Sequence, residues 1–181
     1  MKRTAKVMLS VSLSIALFAG APIAGAQDDD TECFDVFADI DATVTASGCT
    51  SPVGLCTAGR LAGFPGGTTR FTALGLGGAP VGEASIVTPP AEPGTTWSYR
   101  GDLVYTTPVG EIHLEDVGVL DTIRHTYSEM QRVVGGTGHF ANATGDLFSY
   151  GHTTAAGDGF IGPVRGSVCV PRDHHSHHGR R

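Results

Sequence analysis

The sequence predicts an all-β domain of eight or nine short strands, a barrel or a sandwich, and three observations carry that expectation. From Phe34 the even positions Phe34, Val36, Ala38, Ile40, Ala42 and Val44 are apolar while most odd ones are Asp or Thr, the period-two pattern of a half-buried strand. Turn punctuation recurs throughout, at Pro52, Gly66-Gly67, Gly77-Gly78, Pro89-Pro90, Pro108, Gly135-Gly136 and Gly157, at the spacing of strands joined by short connections. No repeat of fixed period is visible, which argues against a solenoid or a propeller.

Before the first strand, Lys2, Arg3 and Lys6 precede an apolar run from Val7 to Phe18 and the small residues Ala24-Gly25-Ala26, the layout of a secretory signal peptide over 1–26. That run is too short for the roughly 20 residues of a membrane-spanning helix. Cleavage after Ala26 would remove three of twelve basic residues and none of eighteen acidic ones, leaving a net charge of −9. Such a balance argues against a nucleic-acid partner. Residues 27–32 are an acidic lead-in without apolar members, 33–171 form the domain, and 172–181 form a tail rich in histidine. The expected protein is secreted, free of the membrane, and possible as a homo-oligomer.

The remaining strands are expected near 54–62, 68–76, 83–88, 97–106, 110–120, 144–153 and 159–170. The segment between 119 and 134 is ambiguous. Val119, Ile123, Tyr127, Met130 and Val134 fall at helical spacing with Gly135 as a cap, whereas Ile123, His125, Tyr127, Glu129, Gln131 and Val133 alternate as a half-polar strand.

Cys33, Cys49, Cys56 and Cys169 are even in number in a chain read as exported, which favours two disulfides over a metal site. Of three connectivities, Cys49–Cys56 across the turn-like Thr-Ser-Pro-Val-Gly-Leu and Cys33–Cys169 across the domain are preferred. Spacings of 16, 7 and 113 match no zinc pattern, so no metal and no cofactor are expected.

The stretch Arg132-Val-Val-Gly-Gly-Thr-Gly-His-Phe-Ala-Asn-Ala-Thr-Gly145 superficially suggests a dinucleotide fingerprint, but no helix with a following parallel strand can be fitted after it. As a hairpin its glycines supply positive φ and close backbone approach. In detail, Val-Val-Gly-Gly-Thr-Gly-x-Phe-x-x-Ala-x-Gly resembles the late signature of the allene oxide cyclase-like and dirigent-like proteins, with a looser likeness over about 97–169. The resemblance implies an antiparallel eight-stranded β-barrel around an apolar cavity, where the strand count alone admits eight or nine, and it favours strand over helix for 119–134. It also implies a small hydrophobic ligand, and an isomerase or cyclase activity in some members. No acidic or tyrosine motif of those families transfers to positions here.

Alternation then nominates interior groups. Trp97, Tyr99, Leu103 and Tyr105 share the apolar face of one strand, so Trp97, Tyr99 and Tyr105 are candidate ligand contacts, or simply core. Ile112 and Leu114 facing inward puts Glu111, His113 and Glu115 outside and carries Asp116 inside, unless a bulge intervenes. His125, Tyr127 and Glu129 follow, then Asp146, Tyr150 and His152. Glu129, His125 and Asp116 are the candidates for acid–base work, with Tyr127 and Tyr150 as further ligand contacts. Against these stands a structural barrel with a filled core. No Gly-x-Ser-x-Gly elbow is present, and Arg100-Gly101-Asp102 lies inside an expected strand.

Overall fold

The computed structural model describes residues 31–78 and 96–172. The expected signal peptide, the strand at 83–88 and nearly all of the histidine tail lie outside them. Eight strands run in order: β1 Thr31–Val44, β2 Cys56–Phe64, β3 Gly67–Gly78, β4 Thr96–Thr107, β5 Gly110–Asp121, β6 Thr126–Gly136, β7 Thr144–Thr153 and β8 Gly159–Pro171. Each pairs antiparallel with the next, and β1 pairs with β8, so the sheet closes on itself and has no free edge. The only helix among the described residues is one 3₁₀ turn, Gly138–Phe140.

The alternation read from the sequence is the barrel's inside and outside. Val36, Ala38, Ile40 and Ala42 are buried, as are Leu103, Tyr105, Ile112, Leu114, Val133, Leu147, Val164 and Val168. Charged residues stand outward on the neighbouring positions, among them Asp39, Arg60, Arg70, Arg100, Asp102, Glu115, Arg132 and Asp146. No described helix is long and apolar enough to cross a membrane. An eight-stranded barrel is just wide enough for side chains to fill or for one small ligand to enter.

The ambiguous segment is two strands with a turn between them. The Asp121 carboxylate accepts the backbone N–H groups of both Ile123 and Arg124 at 2.9 Å, and His125 takes a positive φ of 55°. A short acid that satisfies the backbone locally starts a turn rather than a helix.

One end of the barrel is plugged. Gly138 adopts φ 58°, which lets the chain fold back so that His139 N–H reaches the Val109 carbonyl at 2.9 Å and Phe140 drops into the lower opening. Phe140 is 2% exposed and packs on Phe34 with ring centroids 6.0 Å apart. The glycine-rich stretch is thus a stopper. At the opposite end, where β3 and β5 finish and β4 and β6 begin, no comparable stopper stands among the described residues.

Both disulfides have the expected pairing, Cys33–Cys169 and Cys49–Cys56. Cys33 and Cys169 are direct partners in the ladder between β1 and β8, so the bridge sits on the seam that closes the barrel.

Candidate functional site

Inside the barrel, on the side away from the Phe140 stopper, lies a polar cluster in an apolar wall. Its frame is one lateral row across three strands, in which Tyr99 of β4 pairs with Gly118 of β5 and Gly118 pairs with Glu129 of β6. A Cβ at Gly118 would lie 2.5 Å from the Tyr99 ring. Glycine there lets the ring lie flat across β5, and its hydroxyl donates to Glu129 Oε1 at 2.6 Å. Gln131 Nε2 donates to Glu129 Oε2 at 3.0 Å, and the Tyr105 hydroxyl donates to Gln131 Oε1 at 2.7 Å. Tyr127 and Ser149 share a hydrogen bond of 3.2 Å beside them. A connected chain of this kind polarises its members and holds each in one rotamer.

Gly118→Ala is therefore expected to cost about 1–3 kcal/mol, the usual size of overpacking, and to push Tyr99 off Glu129. A chemical denaturation curve measures the first effect. Tyrosine hydroxyl exchange by nuclear magnetic resonance reports the second, because a Tyr99 released from its carboxylate loses its protection.

Asp116 stands apart from this network. It is 4% exposed, on the row next to Glu129, and its Oδ1 has no hydrogen-bond partner. Burial, with the neighbouring Glu129 charge, pushes its carboxyl up to about 9. Burial also raises Glu129, against the donors Tyr99, Gln131 and Ser149 that favour its charged form. Tyr99, Tyr105 and Tyr127 are all raised chiefly by burial. Both shifts favour the protonated carboxyl at this site, the form that can donate a hydrogen bond or a proton.

Asp116 and Glu129 face a cavity of about 40 Å³, also lined by Ile40, Ala42, Leu55, Thr57, Phe71, Leu76, Tyr99, Leu103, Leu120 and Phe160. Small residues keep it open, Ala42 in its wall and Gly101 at the place where a Cβ would meet the Phe71 ring at 2.6 Å. Leu76, which lines it near the end of β3, is 43% exposed. Its volume admits a few waters or one small chemical group, well below the roughly 300–1,000 Å³ of sites that engulf a whole ligand. A larger groove of about 450 Å³ crosses the outer face between Leu74, Arg100, Met130 and Arg132. Its charged side chains Arg100, Asp102, Glu115, Arg132 and Asp146 are exposed, and the buried Asp116 borders it as well as the inner cavity.

The expected site residues divide by depth. Asp116, Glu129, Tyr99, Tyr105 and Tyr127 are interior, and all five belong to or border the polar cluster. Neither Tyr105 nor Tyr127 lines the cavity; Tyr127 is level with the cavity-lining Leu120, and Tyr105 lies toward the Phe140 end of β4. Trp97 has the inward parity but sits at the rim, 37% exposed, because only one residue of β4 precedes it. His125 was expected inside and is an exposed turn residue, bonded to Thr153 Oγ1 at 3.1 Å. Tyr150, with Asp146 and His152, was likewise expected inside. All three point outward, because β7 turns Leu147 and Ser149 to the core. Glu111, His113 and Glu115 lie on the outer face, and no group of three metal-binding side chains occurs among the described residues.

Several participants escaped the sequence reading. Phe71 and Phe160 form the aromatic wall, with centroids 5.8 Å and 6.4 Å from Tyr99. Gln131 and Ser149 complete the polar network. Their inward parity is visible in the alternation of β6 and β7, but nothing local distinguishes them from ordinary core-lining polar residues. No family model matches the chain, and neither the curated proteins nor the solved structures contain a match to it.

Proposed function

We propose that the protein is a secreted binding barrel that accepts a small, mainly hydrophobic molecule head first through its open end. The observation that carries this reading is the unpartnered Asp116 Oδ1 at the wall of a mainly apolar cavity that it shares with Glu129. An orphaned buried oxygen costs about 1–3 kcal/mol, which an incoming polar head recovers. The head occupies the 40 Å³ next to Asp116 and Tyr99, and the apolar body rests against Leu55, Leu76, Leu120 and Phe160. Membership of the allene oxide cyclase-like or dirigent-like group is part of the proposal, supported by the glycine-rich motif and the eight-stranded closure. Two disulfides and the signal-like amino terminus support an oxidising, exported setting.

Catalysis, where the bound molecule carries an epoxide or carbonyl, follows from the same geometry. Asp116 gives its proton to the ligand oxygen, Glu129 accepts one from carbon, and the closed wall holds one conformer away from water. That is isomerisation or cyclisation without a cofactor, and Glu129→Gln is the variant that removes the base.

Binding is tested with 1-octanol, followed through Trp97, which pairs in register with the cavity-lining Leu120. The expected result is a saturable fluorescence change, lost in Ala42→Leu, which fills the cavity from its wall. No change in the native protein would leave the second reading, a filled structural or interaction barrel. The small cavity favours that alternative, as do the exposed apolar side chains Val117, Met130 and Phe148 on the outer face.

A further inference from the structure

The interior holds two carboxyl groups and no positive charge. Among the described residues the buried polar and charged side chains are Thr57, Thr69, Thr107, Asp116, Glu129, Gln131 and Ser149, with no Lys, Arg or His. The inner faces packed around the two acids bring Ile40 and Ala42 from β1, Thr57 from β2, Phe71 from β3, and Tyr99, Leu103 and Tyr105 from β4. They also bring Tyr127 and Gln131 from β6, Ser149 from β7, and Phe160 from β8. The titratable neighbours of Asp116 and Glu129 are thus the three tyrosines and each other. Buried charges are normally paired.

Resting on the reading of the open end as a binding site, we propose that the polar head this barrel accepts is a compact cation, a primary or substituted ammonium carrying an apolar tail. Four features fit that class. Both Glu129 oxygens already accept a hydrogen bond, whereas Asp116 Oδ1 accepts none and lines the cavity. An ammonium supplies up to three N–H donors to it, and a neutral carbonyl supplies none. The Phe71, Tyr99 and Phe160 rings wall the same space, an arrangement that attracts a desolvated cation. The volume admits an ammonium head and little more. A carboxylate head would bring a third carboxyl beside Asp116 and Glu129 in low dielectric with no cationic side chain to pair with it, and is disfavoured. The chain's net charge of −6 adds a long-range pull of the right sign.

Isothermal titration calorimetry of the full secreted protein with hexylamine, 1-hexanol and hexanoate tests the assignment. At pH 7 hexylamine is expected to bind at least about tenfold tighter than 1-hexanol, with release of a proton, and hexanoate not measurably. The hexylamine ammonium titrates near the lysine value of about 10.4 and stays charged up to pH 9. Its affinity should rise about 50-fold from pH 7 to pH 9 as Asp116 ionises. Asp116→Asn should remove that rise and reduce the preference over 1-hexanol to less than about threefold, with 1-hexanol binding retained. The wild-type pH profile stands by itself should the variant fold poorly. Equal or tighter binding of 1-hexanol overturns the cationic head and leaves the binding barrel intact. Failure of all three probes overturns both, and a pH rise that persists in Asp116→Asn overturns the role given to Asp116.

Discussion

Asp116→Asn is expected to stabilise the empty barrel by at least about 3 kcal/mol at pH 8 and to flatten most of its stability profile between pH 5 and pH 9. In the unfolded chain this carboxyl ionises near pH 4, whereas in the barrel burial and the Glu129 charge delay ionisation to about 9. Between those values the folded state holds a proton that the unfolded state has lost, so stability falls as pH rises, by up to about 1.4 kcal/mol per unit for one group. Below pH 4 both states are protonated and the contribution vanishes. Glu129, raised for the same chief reason, adds to the slope with the same sign. Asparagine keeps the shape and removes the ionisation. Urea denaturation midpoints at pH 5, 7 and 9 give the result, and a native protein whose stability is flat or increasing over that range refutes the assignment of Asp116 as a buried neutral acid.

The second large effect belongs to the seam. Replacing Cys33 and Cys169 by serine is expected to cost about 5 kcal/mol, against about 2–3 kcal/mol for the pair Cys49 and Cys56. In the chain-entropy picture a cross-link restrains the unfolded chain in proportion to the logarithm of the loop it closes, and the separations are 136 and 7 residues. For a domain of this size 5 kcal/mol corresponds to a fall of about 10–20 °C in Tm. The long bridge joins the first strand to the last near one end of their ladder, so its loss also leaves the closure of the barrel to that ladder alone. Thermal unfolding of the two double variants decides the matter, and a larger loss for the short bridge would show that loop length is not what the seam contributes.

Period-two alternation is local, enforced by strand geometry one residue at a time. Hence the inward faces of β1, β4 and β5 were readable, and with them Tyr99, Tyr105 and Asp116. The disulfide partners were readable too, from cysteine number and a short turn. At 119–134 two periodicities competed, and the family resemblance favoured strand. Nothing local resolves the matter unless Asp121 is recognised as a turn initiator.

Parity does not say where a barrel ends or how its strands are staggered. Trp97 and His125 have the inward parity of their neighbours, yet one lies at the rim and the other in a turn, because the stagger places the last full interior layer before them. In β7 both faces carry apolar residues, Leu147 inside and Phe148 and Tyr150 outside, so hydrophobicity alone could not choose between them. The meeting of Tyr99 with Glu129 lies further still from local sequence. It requires the register of β4, β5 and β6 to align a tyrosine, a glycine and a glutamate in one row, with the glycine in the middle. Alone, then, the sequence pointed to a predominantly β chain and to the inward faces of β1, β4 and β5, because those follow from spacing along one strand, and it left the disulfide pairing a preference among three. Only the tertiary structure decided which end Phe140 fills and which carboxyl oxygen is left without a partner, because both depend on the stagger that fixes which side chains share a layer of the closed barrel.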